Sequence, residues 1–164
     1  MRGSAQPISG VIAPGGPAPE FTLKTETGED FTREDLAGRT TVLVFYPAAF
    51  SAVCTDQFQI YQEVLEDLAA QGATLYGVSC DQSDSQLAFR RSLGVTIEQL
   101  SDFEPKGAAT KSFGAYFEVT GVSNRALVMI GPDQVVQWSW EGEHPGTLPG
   151  ANLIFDALAA PAER

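Results

Sequence analysis

The sequence predicts an α/β protein, a mixed β-sheet with helices packed on both faces. Three observations lead there. Two unbroken runs rich in β-branched and aromatic residues, Thr41–Tyr46 and Ala73–Ser79, read as strands buried on both faces. Each is followed by a stretch with helical spacing. A hairpin and a last apolar helix then close a chain of 164 residues. With 43% hydrophobic and 19% charged residues, this is the composition of one packed domain, not of a disordered or fibrous chain.

The elements follow in order. Residues 5–19 carry Pro7, Gly10, Pro14, Gly15, Gly16, Pro17 and Pro19, and read as an arm without regular structure. The arm is assigned to residues 1–15 and the domain to 16–160, with Met1–Ser4 read as a vector remnant. Phe21–Lys24 and Asp30–Thr32 flank a turn at Thr27-Gly28, which predicts a small hairpin, and a helical turn over Arg33–Ala37 stops at Gly38. Pro47 ends the Thr41–Tyr46 strand. From Val53 to Ala70 the residues Phe58, Tyr61, Leu65 and Leu68 form one helical stripe, closed by Gly72. After Ala73–Ser79, Ser83 with Gln86 three residues on suggests a capping box for a helix to Leu93, ended by Gly94. A short helix over Pro105–Phe113 and a strand over Tyr116–Val119 come next. Ala126–Ile130 and Val135–Trp140 flank the turn Gly131-Pro132-Asp133; alternation puts Val136, Trp138 and Trp140 on one face. The last helix is placed at Gly150–Ala159. No internal repeat is present.

Ten basic against 21 acidic residues leave a net charge of −11, and only Arg90 and Arg91 are adjacent cations. A phosphate backbone calls for clustered Lys and Arg, so neither nucleic acid nor an anionic membrane is an expected partner. No apolar run approaches a membrane span, and Met1-Arg2-Gly3-Ser4 does not open a secretory signal. Two cysteines do not make a disulfide scaffold, so a reducing cytoplasm is the expected compartment.

Cys54 alone combines a reactive group with a reactive place. It falls on the first turn of a helix, just after a buried strand and a proline-containing loop. Unpaired backbone N–H groups and the positive end of the helix dipole both favour thiolate over thiol there. The plainer alternative is a small buried hydrophobe. An open α/β sheet binds ligands at such strand-to-helix switches, which weighs towards reactivity.

Pro47-Ala48-Ala49-Phe50-Ser51-Ala52-Val53-Cys54 fits the pattern Pro-x-x-x-Thr/Ser-x-x-Cys, and the loop resembles the active-site loop of the peroxiredoxins. Gly16-Pro17-Ala18-Pro19-Glu20-Phe21 is similar to that family's opening segment. Asp35-Leu36-Ala37-Gly38-Arg39 with Val42-Leu43-Val44-Phe45-Tyr46-Pro47 is similar to its second signature. Within the family the chain looks most like the bacterioferritin-comigratory and alkyl hydroperoxide reductase E groups. The resemblance implies a thioredoxin-like fold, a central mixed sheet flanked by helices and extended by an N-terminal hairpin. It also implies a thiol-dependent peroxidase that reduces hydrogen peroxide and organic hydroperoxides through a Cys54 sulfenic acid. Pro47 would shield the thiolate, Ser51 would donate to sulfur or peroxide, and the Val53 and Cys54 backbone N–H groups would add donors. Arg125, directly before the Ala126–Ile130 strand, matches the family's arginine; its fork of donors suits both sulfur and peroxide oxygen. No cofactor is implied, and a homodimer with Phe50 near the contact is.

The departures matter. Gln57 stands where the family commonly has Glu, keeping a hydrogen bond without the charge. Gln59 occupies the place of a resolving cysteine in many bacterioferritin-comigratory proteins, so that short-range disulfide is impossible. Cys80 is either a resolving thiol or a strand-end residue that packs; a disulfide needs Cα atoms within about 7 Å. The working expectation is a one-cysteine cycle reduced by an external thiol: thioredoxin, a glutaredoxin-like protein or a low-molecular-weight thiol. His144, the single histidine, sits in a Gly/Pro loop and reads as exposed, and no metal-ligand spacing appears. Phe50, Trp138 and Trp140 read as core or dimer surface. The rival function is a redox-sensing binding module that oxidises once without turnover. A dithiol oxidoreductase is weaker still, since no Cys-x-x-Cys occurs.

Overall fold

A computed structural model of the chain describes residues 10–160. Met1–Ser4 and the first arm residues lie outside the described residues. The hairpin is β1 (Thr22–Lys24) and β2 (Asp30–Thr32), followed by a 3-10 turn at Arg33–Leu36. Then come β3 (Thr40–Phe45), α1 (Ala52–Glu63), α2 (Leu65–Ala70), β4 (Ala73–Ser79) and α3 (Ser83–Leu93). The second half runs β5 (Glu98–Ser101), α4 (Ala108–Ser112), β6 (Tyr116–Phe117), β7 (Val122–Ser123), β8 (Ala126–Ile130), β9 (Val136–Glu141) and α5 (Asn152–Ala159). Seven strands form one sheet in the order β2-β1-β5-β4-β3-β8-β9, with β6 and β7 a separate ribbon.

Register puts the chemistry at one edge. β3, β4 and β5 are parallel, so Phe45, Ser79 and Ser101 end together. β8 runs antiparallel to β3 and pairs Ala126 with Phe45, so the start of β8 lies at that same edge. The sheet separates two cores. On one side Leu43, Phe45, Tyr76, Val78, Phe113 and Val128 meet the hairpin and α4. On the other, Val42, Val44, Tyr46, Leu75, Leu127 and Met129 take Cys54 and Phe58 of α1, Phe89 of α3 and Ile154 of α5. Burial of each such Leu or Phe contributes about 1.5–3 kcal/mol, and the β-branched runs supply both layers at once.

Several expectations are revised. β5 is unpredicted: Glu98-Gln99-Leu100-Ser101 lacks the β-branched signal, yet Gln99 and Ser101 are buried and hydrogen-bonded there. The expected Val53–Ala70 helix breaks at Val64, whose φ of −113° and ψ of 13° leave the α region. The Tyr116–Val119 strand is shorter and pairs with β7. The capping box of Ser83 and Gln86 does not form. Gln82 is the N-cap, Ser83 Oγ donates to the Thr25 carbonyl, and Gln86 is turned fully inward. Val136 does not share a face with Trp138 and Trp140, because a register shift at Met129/Ile130 inserts a bulge. Val136 joins the first core, and the two tryptophans pack against the second.

The arm is not loose where it is described. Ile12 N–H donates to the Phe113 carbonyl, Gly15 N–H to Val136, and Ala18 N–H to Gln134. Gly114 makes this approach possible: its φ is +76°, and a Cβ there would run into the Gly10 carbonyl oxygen. Gly114→Ala is expected to cost about 1–3 kcal/mol of unfolding free energy. Urea denaturation reads this, and a wild-type midpoint with unchanged slope would show that the arm can yield freely.

Candidate active site

The loop Pro47–Ser51 joins the end of β3 to the start of α1. The Thr55 N–H and Thr55 Oγ both donate to the Ser51 carbonyl at 2.9 Å. Thr55 thus makes the first intrahelical bond, leaving the N–H groups of Ala52, Val53 and Cys54 without helical acceptors. Cys54 is completely buried and faces the second core with Gln57, Phe58 and Tyr61, at helical intervals of three, four and seven. The Tyr46 ring meets Phe58 edge-on at 4.9 Å, so the floor beneath the thiol is aromatic.

Arg125 reaches this face from β8. Its backbone N–H donates to Asn124 Oδ1 at 2.8 Å, Nε donates to the Pro145 carbonyl at 2.7 Å, and Nη1 donates to Gln57 Oε1 at 2.7 Å. Gln57 in turn donates through Nε2 to the Tyr61 hydroxyl at 3.3 Å, and that hydroxyl donates to the Pro149 carbonyl at 2.8 Å. Burial pushes the Tyr61 phenol up to about 12, with Gln57 and the Arg125 cation acting the other way. Tyr61 is therefore a neutral donor at any physiological pH.

The electrostatic result is unusual for a guanidinium that is only 2% exposed. Its recorded acceptors are neutral, and among the described residues the ion pairs belong to Lys24, Arg33 and Arg90. A buried cation held by neutral oxygens is poorly compensated, and the site gains by taking up negative charge. Gln57 lies three residues after Cys54, a spacing that puts Cβ atoms about 5–6 Å apart on one helix face. The positive charge is thus delivered within one turn of the thiol.

The remaining expected residues are placed as follows. Pro47 is half-buried at the loop entrance. The Ser51 hydroxyl donates to the Ala48 carbonyl at 3.1 Å, so its proton is engaged within the loop. Gln59 is exposed, and so is His144, whose Nδ1 only accepts from the Gly146 N–H. Cys54 and Cys80 are both free thiols. Cys80 lies buried one residue past the end of β4, beside Asp102 and Thr110. Burial, then the Asp102 carboxylate, push its thiol up, with Thr110 opposing. Phe50 is 59% exposed, with its ring against Phe89 at 5.3 Å. Among the described residues no group of three or more His, Cys, Asp or Glu could hold a metal, and no helix is long and apolar enough to cross a membrane. Asn124, Tyr61 and the carbonyls of Pro145 and Pro149 were not singled out from sequence. Carbonyls carry no residue signature, and Tyr61 was read only as part of an apolar stripe.

Comparison with known proteins finds the following similarities. Residues 14–139 match the AhpC/TSA family model. Alkyl hydroperoxide reductase E of Mycobacterium tuberculosis is 27% identical over 147 residues, covering 89% of this chain and 95% of that protein. The crystal structure of peroxidoxin BcpB from the same organism superposes with a TM-score of 0.74 at 25% identity, over 89% of this chain and 94% of that one. Enterococcus faecalis AhpC superposes with a TM-score of 0.80 at 23% identity, over 88% and 89%, and shows the common fold. The chain belongs to the AhpC/TSA family, and with its thioredoxin-like fold it is a peroxiredoxin, a thiol-dependent peroxidase.

Proposed function

We propose that Cys54 is the peroxidatic nucleophile of a one-cysteine cycle acting on hydrogen peroxide and organic hydroperoxides. The observation that carries this is the buried Arg125, held by Gln57 against the Cys54 face of α1 with no carboxylate partner among the described residues. The thiolate attacks the nearer peroxide oxygen. The S–O bond forms as the O–O bond breaks, sulfur gives up two electrons, and the departing alkoxide or hydroxide takes a proton. Arg125 compensates the charge on sulfur and then on the leaving oxygen, assisted by the free N–H groups of Val53 and Cys54. Gln57 aims the guanidinium and is a positioning residue. Ser51 turns its hydroxyl from Ala48 towards the incoming peroxide, and Pro47 keeps water from the thiolate.

Cys80 takes no part. It is buried just past the end of β4 beside Asp102 and Thr110, outside the cluster that holds Cys54, and its raised thiol is a poor nucleophile at neutral pH. An external thiol, from thioredoxin, a glutaredoxin-like protein or a small thiol, attacks the sulfenic sulfur and releases water, and a second thiol frees Cys54. The enzyme works in the cytoplasm as a single-domain subunit of a homodimer, with the exposed Phe50 loop at the contact. Intact mass after one equivalent of hydrogen peroxide tests the cycle. A gain of one oxygen on Cys54 with Cys80 unmodified is expected. Loss of two hydrogens within the monomer would instead make Cys80 the resolving thiol, and an unchanged mass would remove the peroxidatic assignment.

A further inference from the structure

We propose that Asp81 is a positioning residue that clamps the active-site loop closed over Cys54. This rests on the reading of Cys54 as the peroxidatic thiol. Asp81 Oδ2 accepts two hydrogen bonds, from the Ala49 N–H at 2.8 Å and from the Ser79 hydroxyl at 2.7 Å. Ser79 Oγ accepts from Gln86 Nε2 at 2.8 Å, and the same Nε2 group donates to the Leu100 carbonyl at 2.9 Å. The Asp81 carbonyl accepts from Ser101 Oγ. The carboxylate is therefore mounted on the ends of β4 and β5 and on α3, with Ser79 and Gln86 fully buried, and its one contact across to the loop is Ala49.

Two further observations fit a clamp rather than an incidental bond. Gln86 Oε1 is buried without a partner, which is unfavourable for a polar atom removed from water. The amide is oriented for its donors, and that orientation is what turns the Ser79 proton towards Asp81. In addition, Phe50 has a φ of +67°, a left-handed conformation that strains a bulky residue. Such strain persists only where the surroundings enforce it. Phe50 lies directly between Ala49, held by Asp81, and Ser51, the first turn's N-cap. Released from Asp81, Phe50 can relax, and the Pro47–Ser51 segment lifts from a thiol that is otherwise wholly buried. The clamp keeps the pocket dry and narrow, open to a peroxide but closed to larger electrophiles.

Two rates test this with opposite expected signs: oxidation of Cys54 by hydrogen peroxide in stopped flow, and N-ethylmaleimide labelling of Cys54 and Cys80 resolved by peptide mass. In Asp81→Ala the peroxide rate constant is expected to fall roughly tenfold or more, while Cys54 labelling rises roughly tenfold. Asp81→Asn retains an oxygen able to accept both bonds, and stays within roughly threefold of wild type in both assays. Should Asp81→Ala not fold, Ser79→Ala, which frees the carboxylate to swing, is expected to move both rates in the same directions by a smaller factor. Unchanged rates in Asp81→Ala, both rates falling or rising together, or equal damage in Asp81→Asn would each overturn the clamp. A wild-type protein whose Cys54 ignores peroxide would overturn the peroxidatic reading instead, while the labelling comparison would still report on the loop.

Discussion

Cys54→Ser is expected to lower peroxide consumption to the uncatalysed background while leaving the protein folded. The substitution exchanges sulfur for oxygen in a fully buried position on the first turn of α1, with Phe58 and Tyr46 packed around it, so it opens no large cavity. It removes the one atom able to form a sulfenic acid there, because a serine hydroxyl is not ionised to any useful extent near neutrality. A coupled assay following loss of peroxide in the presence of excess thiol reads the result, with circular dichroism as the folding control. Cys80→Ser in the same assay is expected to turn over at close to the wild-type rate. Wild-type turnover in Cys54→Ser would remove the peroxidatic assignment, and loss of turnover in Cys80→Ser would replace the one-cysteine cycle with a two-cysteine one.

Arg125→Ala is expected to slow oxidation of Cys54 by about 10²–10³, the scale associated with one preorganised donor to developing negative charge. In the proposed cycle the guanidinium contributes at two stages, holding charge on the thiolate before attack and on the leaving oxygen during it. A stability loss accompanies the kinetic one. Removal leaves Gln57 Oε1 and the Pro145 carbonyl without their donor, at about 1–3 kcal/mol for a buried acceptor. The two effects are separated by stopped-flow oxidation at a temperature where the variant is fully folded. Arg125→Lys restores charge without the planar fork and is expected to recover only part of the rate. An unchanged oxidation rate in Arg125→Ala would assign Arg125 to packing alone.

The Gln57 position explains how a familiar pairing survives an unfamiliar residue. A glutamate there would neutralise the arginine; the amide keeps the 2.7 Å bond and leaves the full positive charge for the reacting atoms. It also spends its own N–H on Tyr61, whose hydroxyl continues to Pro149. The segment after β9 therefore steadies the site through two carbonyls, those of Pro145 and Pro149.

Much of this was readable along the chain. Thr41–Tyr46 and Ala73–Ser79 announce central strands because β-branched residues crowd both faces, and the stop at Pro47 followed by a helical stripe sets Cys54 on a first turn. The proline, serine and cysteine spacing carried the resemblance of the loop, and it was that family resemblance, not its place before an apolar strand, that singled out Arg125. What the chain did not disclose shares a cause: it depends on partners distant in sequence. β5 is a strand because it lies beside β4, where its polar residues are satisfied by neighbours. Ser83 and Gln86 have the spacing of a capping box, but Gln86 finds better partners in Ser79 and Leu100. Val136 changes faces because a single bulge reverses an alternation that spacing alone predicts.

The sequence by itself determined the α/β class and the family resemblance, and singled out Cys54 and Arg125 as the candidate nucleophile and its candidate cation. These are set by local pattern, meaning side-chain periodicity, a turn-breaking proline and a thiol at a helix start. The tertiary structure decided which groups hold the Arg125 guanidinium, that Cys80 is buried beside Asp102 and Thr110, and that the Asp81 carboxylate accepts from the Ala49 N–H in the loop after β3. Those outcomes follow from a parallel sheet with one antiparallel neighbour, which brings the ends of β3, β4 and β5 and the start of β8 to one edge. The hydrogen bonds formed there between Ala49 and Asp81 and between Gln57 and Arg125 join residues 32 and 68 positions apart, and no local pattern encodes them.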